Sequence, residues 1–186
     1  EFFKEAYNIE IRTETEVVKI DPKKKEVFLK GKFEGTLKYD SLIYALGAES
    51  SLPDKLPLKL LNLIFFRTAR DLEIIQKNLS EEKKRVAVIG SGPFGLEACD
   101  GLIRSGFEVT LIEKRDSLLP ASGKISSKMI ENELKNKCKI FKSAEIAKFE
   151  VSGPNIQSIV LKNGILIPVD FVISAIGIKP NTKLLS

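Results

Sequence analysis

Histidine is absent from the sequence, and its two cysteines, Cys99 and Cys138, stand apart in no CxxC pair. A structural zinc site draws four tetrahedral ligands from Cys and His, so that class is excluded. Isolated thiols in a charged chain fit a reducing cytoplasm, the expected location. Each cysteine reads as a small buried hydrophobe rather than a nucleophile. No stretch reaches the roughly 18 consecutive apolar residues of a membrane-spanning helix, so no membrane partner is expected. The surplus of one charge sign is small, 30 basic against 25 acidic residues. Lys23–Lys25 and Lys83–Arg85 lie in turns or beside acids with no aromatic residues among them. That pattern describes a solvated surface, and nucleic acid is not an expected partner.

What the chain does have is enough apolar residue, 43% of 186, to build a core without disulfide staples. Residues 9–46 read as short strands and turns. Ile9–Ile11 alternates, Thr15–Ile20 carries β-branched residues, Asp21–Lys25 is a turn with proline after aspartate, and "EVFL" and "TLKY" suit a hairpin or meander. Ser41–Leu46 is a continuous apolar run, as expected of a strand covered on both faces. Gly47–Asn62, with Pro53 and Pro57, reads as a linker. Residues 68–79 put Leu72, Ile75 and Leu79 on one helical face.

From Arg85 the period changes to β-α-β. Val86–Ile89 is a buried strand, and Leu96, Cys99, Leu102 and Ile103 mark a helix that Gly106 closes in left-handed geometry. Glu108–Ile112 is the next strand, Ile125, Met129 and Leu134 mark a second helix, and Lys139–Phe141 is a third strand. Three β segments follow, 145–150, 156–161 and 165–169, before Asp170–Ile176 returns as a buried strand. The fold class is therefore α/β. Residues 63–186 form a Rossmann-type parallel sheet with a β-meander crossover, and residues 1–62 form a mainly β piece with a linker.

Gly90, Gly92 and Gly95 fit G-x-G-x-x-G with a strand before, a helix after and an acid ending the next strand. In that motif the first glycine allows the tight turn, the second lets backbone amides approach a pyrophosphate, and the third allows close helix packing. Pro93 falls at a helix start, where its missing N–H costs nothing. The helix N-terminus offers free N–H groups and partial positive charge to an anion. Glu113 lies 18 residues after Gly95 (113 − 95), the place from which an acid holds the adenosine ribose hydroxyls. Its carboxylate favours NAD(H) over NADP(H), while Lys114 and Arg115 beside it soften that preference.

The order of motifs resembles the pyridine nucleotide–disulfide oxidoreductases, flavoproteins that bind FAD and NAD(P)H in adjacent domains. "YDSLIYALGAES" is similar to the segment at the edge of that family's flavin domain. "VAVIGSGPFGLEACDGL" resembles its nicotinamide-nucleotide fingerprint, and "DFVISAIGIKPNTKLL" the stretch that closes the nucleotide domain. "YNIEIRTETEVVKIDPKKKEV" looks most like the NADH oxidase and coenzyme A disulfide reductase branch. The resemblance implies an internal fragment, with residues 1–62 a partial FAD-binding domain and linker and residues 63–186 the NAD(P)H-binding domain. It also implies a homodimeric full-length protein. Neither cysteine matches the family's redox cysteine.

By the same resemblance, Glu97 approaches the nicotinamide carboxamide, and Pro93 and Phe94 flank the ring. Ala175, Ile176 and Gly177 line the nucleotide cleft. Val17, Ala45, Leu46 and Gly47 approach FAD through the backbone, with Leu46 replacing the usual threonine and losing a hydroxyl contact. The implied activity is hydride transfer from NAD(P)H to flavin, then electron delivery to oxygen, a disulfide or a protein acceptor. No side chain of this chain is then needed as an acid–base catalyst. Two rivals stand beside it: a reductase component serving a ferredoxin or nitrite-reducing partner, and a module that senses NAD(H) without turnover.

Overall fold

A computed structural model of the chain describes residues 2–51, 60–65, 69–78 and 85–185. The chain packs as two units, residues 1–49 with 180–186, and residues 50–179.

The first unit opens with helix α1 (Phe2–Tyr7), followed by strands β1 (Thr15–Asp21), β2 (Glu26–Gly31) and β3 (Gly35–Lys38). The three strands form an antiparallel meander in that order. Its first turn is set by Asp21, whose carboxylate accepts from the N–H groups of Lys23 and Lys24 at 3.1 and 3.0 Å. Short polar side chains that bond their own backbone in this way are the reason such residues start turns.

Two strands expected here are absent. Residues 9–11 lie outside any strand, with Ile9 and Ile11 exposed. Residues 41–46 also form no strand, and the Ile43 side chain is 90% exposed. A strand buried on both faces needs neighbours along both edges and cover on both sides. The first unit supplies neither to this segment. It anchors the segment by hydrogen bonds instead: Tyr44 Oη donates to the Asn181 carbonyl at 2.5 Å, and Asn181 Nδ2 donates to the Leu46 carbonyl at 3.0 Å. Strands β4 (Ala48–Ser50) and β13 (Ile178–Pro180) flank the points where the chain passes between units.

The second unit contains β5 (Leu63–Phe65), α2 (Ala69–Asn78), β6 (Arg85–Ile89), α3 (Pro93–Arg104), β7 (Glu108–Ile112), α4 (Gly123–Leu134) and β8 (Lys139–Phe141). It continues with β9 (Ile146–Ser152), β10 (Asn155–Leu161), β11 (Leu166–Pro168) and β12 (Phe171–Ser174). Five strands make a parallel sheet in the order β5-β12-β6-β7-β8, and β9–β11 form an antiparallel sheet between β8 and β12 in the chain. This is the expected Rossmann-type sheet with its meander crossover.

The two faces of the parallel sheet bury different partners. Val86, Val88, Leu111, Phe171 and Ile173 pack with Ala98, Cys99 and Leu102 of α3. Ala87, Ile89, Ile112 and Val172 pack with Ile156, Ile159, Leu161 and Ile167 of the meander. Each fully buried Val, Leu, Ile or Phe among them contributes roughly 1.5–3 kcal/mol, which is why β6 after Arg85 and β12 before Ser174 carry no polar residue. Helix α3 ends where expected, with Gly106 at φ +82°. The buried face of α4 differs from the expected one. Ile125 and Met129 are 80% and 68% exposed, whereas Leu134 is buried as expected, together with Ser127. Around α2, Ile75 is buried as expected, whereas the Leu72 side chain, Leu79 and residues 52–59 of the 47–62 linker lie outside the described residues.

Asn62 ties the layers together. Its Nδ2 donates to the carbonyls of Ile156 and Asp170 at 2.7 and 3.0 Å, and its Oδ1 accepts from the Ile156 N–H at 2.8 Å. The Arg85 side chain pairs with Asp170, clamping the start of β6 to the start of β12.

Candidate functional site

All five parallel strands finish at one rim of the sheet, and there the chain turns from β6 into α3. Gly90 makes that turn at φ +98°, its N–H donating to the Ile112 carbonyl at 2.8 Å. A Cβ on Gly90 would stand 2.6 Å from the Ala175 carbonyl oxygen and 3.2 Å from the Ile176 nitrogen. The end of β12 therefore rests directly on the loop. A Cβ on Gly95 would collide with the Gly90 carbonyl oxygen. Gly92 is the opposite case: no atom lies within 4 Å of where its Cβ would be.

That open side faces a cleft of about 540 Å³, walled by the Gly90–Pro93 loop, the strand end at Glu113–Arg115, Phe149 and Ala175–Gly177. Pro93 is the first residue of α3, a position where a missing N–H is harmless. Among the described residues, no acceptor takes the N–H groups of Gly92, Phe94 and Gly95. Free amides at the start of a 12-residue helix, beside an open glycine, make an anion-binding mouth.

Glu113 closes the back of this mouth. Its side chain is buried, with only 8% exposed, and its Oε2 accepts from the Ser91 N–H at 2.8 Å and the Ser91 hydroxyl at 2.6 Å. Its Oε1 accepts from the Arg115 N–H at 2.9 Å. The Glu113 backbone is pinned as well, its N–H donating to Phe141 and its carbonyl accepting from Ala144. Outside it, Lys114 and Arg115 are exposed on the rim and hold no ion pair among the described residues. Glu145 pairs with Lys162 at 2.5 Å, and that hydrogen bond holds its carboxyl below the usual range.

Of the residues singled out in the sequence, Gly90, Gly92, Pro93, Glu113, Lys114, Ala175, Ile176 and Gly177 come together around the cleft. Gly95 lies beneath the loop. Phe94, 56% exposed, and Glu97 sit on the outer surface of α3 and do not line the cleft. Val17, Ala45 and Leu46 line a separate cavity of about 420 Å³ within the first unit, with Gly47 outside its lining. Neither cysteine lies in this cleft; burial pushes the Cys99 thiol up to about 12 and raises that of Cys138.

Sequence reasoning missed Ser91, Leu119 and Phe149. Ser91 sits inside the glycine motif at a position the spacing leaves open. Leu119 adopts φ +44° and donates its N–H to the Ser91 carbonyl at 3.1 Å, bringing a loop over the glycines. Phe149 arrives from the meander, which no local signal places beside the nucleotide motif.

The family model for pyridine nucleotide-disulphide oxidoreductases matches residues 1–186. The chain belongs to that family. It is 33% identical to an NADH oxidase of Methanocaldococcus jannaschii, matching over 99% of this chain and 42% of that protein. It is 31% identical to a nitrite reductase [NAD(P)H] of Bacillus subtilis, over 97% of this chain and 22% of the relative. Among solved structures, an NAD-dependent persulfide reductase from A. fulgidus superposes with a TM-score of 0.85 at 31% identity, covering 99% of this chain and 35% of that one. The chain thus spans less than half the length of these relatives. The family and the α/β fold are those expected from the motifs. Among the described residues, no helix is long and apolar enough to cross a membrane.

Proposed function

We propose that this chain supplies the nicotinamide-nucleotide site, and one wall of the flavin site, of an FAD-dependent NAD(P)H oxidoreductase. The observation that carries the reading is the contrast among the glycines. Gly90 and Gly95 are closed in by protein, while Gly92 opens on the cleft beside unpartnered amides. A diphosphate fits that arrangement through its charge and its many acceptor oxygens. Gly92, Phe94 and Gly95 would hold it by their N–H groups. Ala175–Gly177 would guide the nicotinamide end, with Glu97 and Phe94 near the ring and Lys114 at the adenosine end. Val17, Ala45, Leu46 and Gly47 would meet FAD in the first unit.

When bound, the two cofactors supply hydride chemistry between nicotinamide and flavin; the protein supplies orientation and electrostatics. The cleft contains no histidine, and no residue here is asked to move a proton. The NADH oxidase relative supports oxygen as acceptor, the persulfide reductase structure supports a sulfur acceptor of the disulfide class, and the nitrite reductase relative supports a reductase component serving another centre. Work in the cytoplasm as a homodimer completes the proposal.

Calorimetric titration of the chain with NADH tests the nucleotide site. Saturable one-to-one binding that is lost in Gly92→Val is expected. Binding unaffected by Gly92→Val would place the nucleotide elsewhere.

A further inference from the structure

Glu113 was expected to hold the ribose, yet its carboxylate is already engaged. A carboxylate offers about four lone-pair positions, and three donors take them here: the Ser91 N–H, the Ser91 hydroxyl and the Arg115 N–H. We infer that Glu113 and Ser91 act chiefly as a clamp that fixes the diphosphate-binding loop, with Glu113 giving the ribose one hydrogen bond at most. The inference rests on the nucleotide reading above and assigns Ser91 as a positioning residue.

The connections support a clamp. Every polar group of Ser91 is occupied: its N–H and hydroxyl by Glu113, its carbonyl by the Leu119 N–H. Ser91 is fully buried between Gly90 and Gly92, so holding it fixes the residue whose amide faces the cleft. The grip extends outward, because the Arg115 carbonyl accepts from the Ser143 N–H at 2.8 Å and the Glu113 carbonyl accepts from the Ala144 N–H at 2.9 Å. Three segments that meet only in the folded chain, 90–92, 113–119 and 141–144, thereby become one rigid frame. Donors fixed before a ligand arrives lose less freedom on binding, which is how a rigid frame strengthens affinity.

The test compares ADP-ribose with 2′-deoxy-ADP-ribose by calorimetry on the full chain. A clamp that spares one lone pair predicts that wild type loses at most about tenfold in affinity without the 2′-hydroxyl. It predicts that Glu113→Gln weakens the 2′-deoxy ligand as well as ADP-ribose, the two losses agreeing to within about tenfold, and that adding Ser91→Ala to Glu113→Gln costs little more. Loss confined to ADP-ribose in Glu113→Gln, or additive losses in the double variant, overturns the clamp. A fall of about a hundredfold for the deoxy ligand in wild type overturns it too, and needs no variant to fold. Failure of wild type to bind ADP-ribose overturns the nucleotide reading itself, and the clamp with it.

Discussion

Replacing Gly90 and Gly92 separately by alanine divides folding from binding within three residues. At Gly90 the new Cβ would stand 2.6 Å from the Ala175 carbonyl oxygen and 2.9 Å from its carbon, both backbone atoms that no side-chain rotation moves aside. The backbone there also holds φ +98°, a conformation that costs a residue with a Cβ about 1–3 kcal/mol. Overpacking adds about 1–3 kcal/mol. A total near 4 kcal/mol lowers Tm by about 8–16 °C in a domain of this size. At Gly92, φ is −68° and the Cβ meets nothing within 4 Å, so the fold is expected to change by no more than about 1 kcal/mol. That methyl group would occupy the approach of the diphosphate instead and weaken NADH binding at least about tenfold, or 1.4 kcal/mol. Differential scanning calorimetry reads the first effect and titration calorimetry the second. A Gly92→Ala variant that binds NADH as well as the parent would refute the reasoning, as would a Gly90→Ala variant that melts with it.

Asn62→Ala removes three hydrogen bonds, two buried and one part-buried, that join the starts of β5 and β12 to β10, and should destabilise the chain by about 3 kcal/mol in a urea unfolding curve. Ser174→Ala should leave stability unchanged or raise it by about 1 kcal/mol, because the Ser174 hydroxyl is buried with no partner among the described residues. With its thiol raised to about 12 by burial, Cys99 holds almost no thiolate at pH 8, so iodoacetamide should label it only after unfolding, as peptide mass spectrometry would show. Cys138, half-buried and also shifted upward, should label in the folded chain, but more slowly than a free thiol.

The parallel-sheet half of the fold was legible because its signals are local. Strand β6, the glycine turn, Pro93, the stripe of α3 and the acid after β7 all lie within residues 85–114, and each constrains its neighbours directly. The meander was equally readable, its three segments expected at 145–150, 156–161 and 165–169 and found as β9, β10 and β11. The errors fall where burial is decided by something distant. The apolar run at 41–46 carries the composition of a covered strand, but composition does not supply the cover. Of the Ile125, Met129 and Leu134 stripe of α4 only Leu134 joins the core, while Ser127 is buried and Ile125 and Met129 are exposed, because packing direction belongs to the assembled layers. Ser91, too, was invisible: its partner Glu113 is 22 residues away, and only the folded loop shows that the acid reaches back to it.

The central claim is that a dinucleotide lays its diphosphate on the amides at the start of α3, and a crystal structure of the chain with ADP-ribose tests it most directly. The account predicts diphosphate oxygens about 2.9 Å from the nitrogens of Gly92, Phe94 or Gly95, with Glu113 still holding Ser91. A diphosphate seated away from that loop, with those amides left to water, would contradict it.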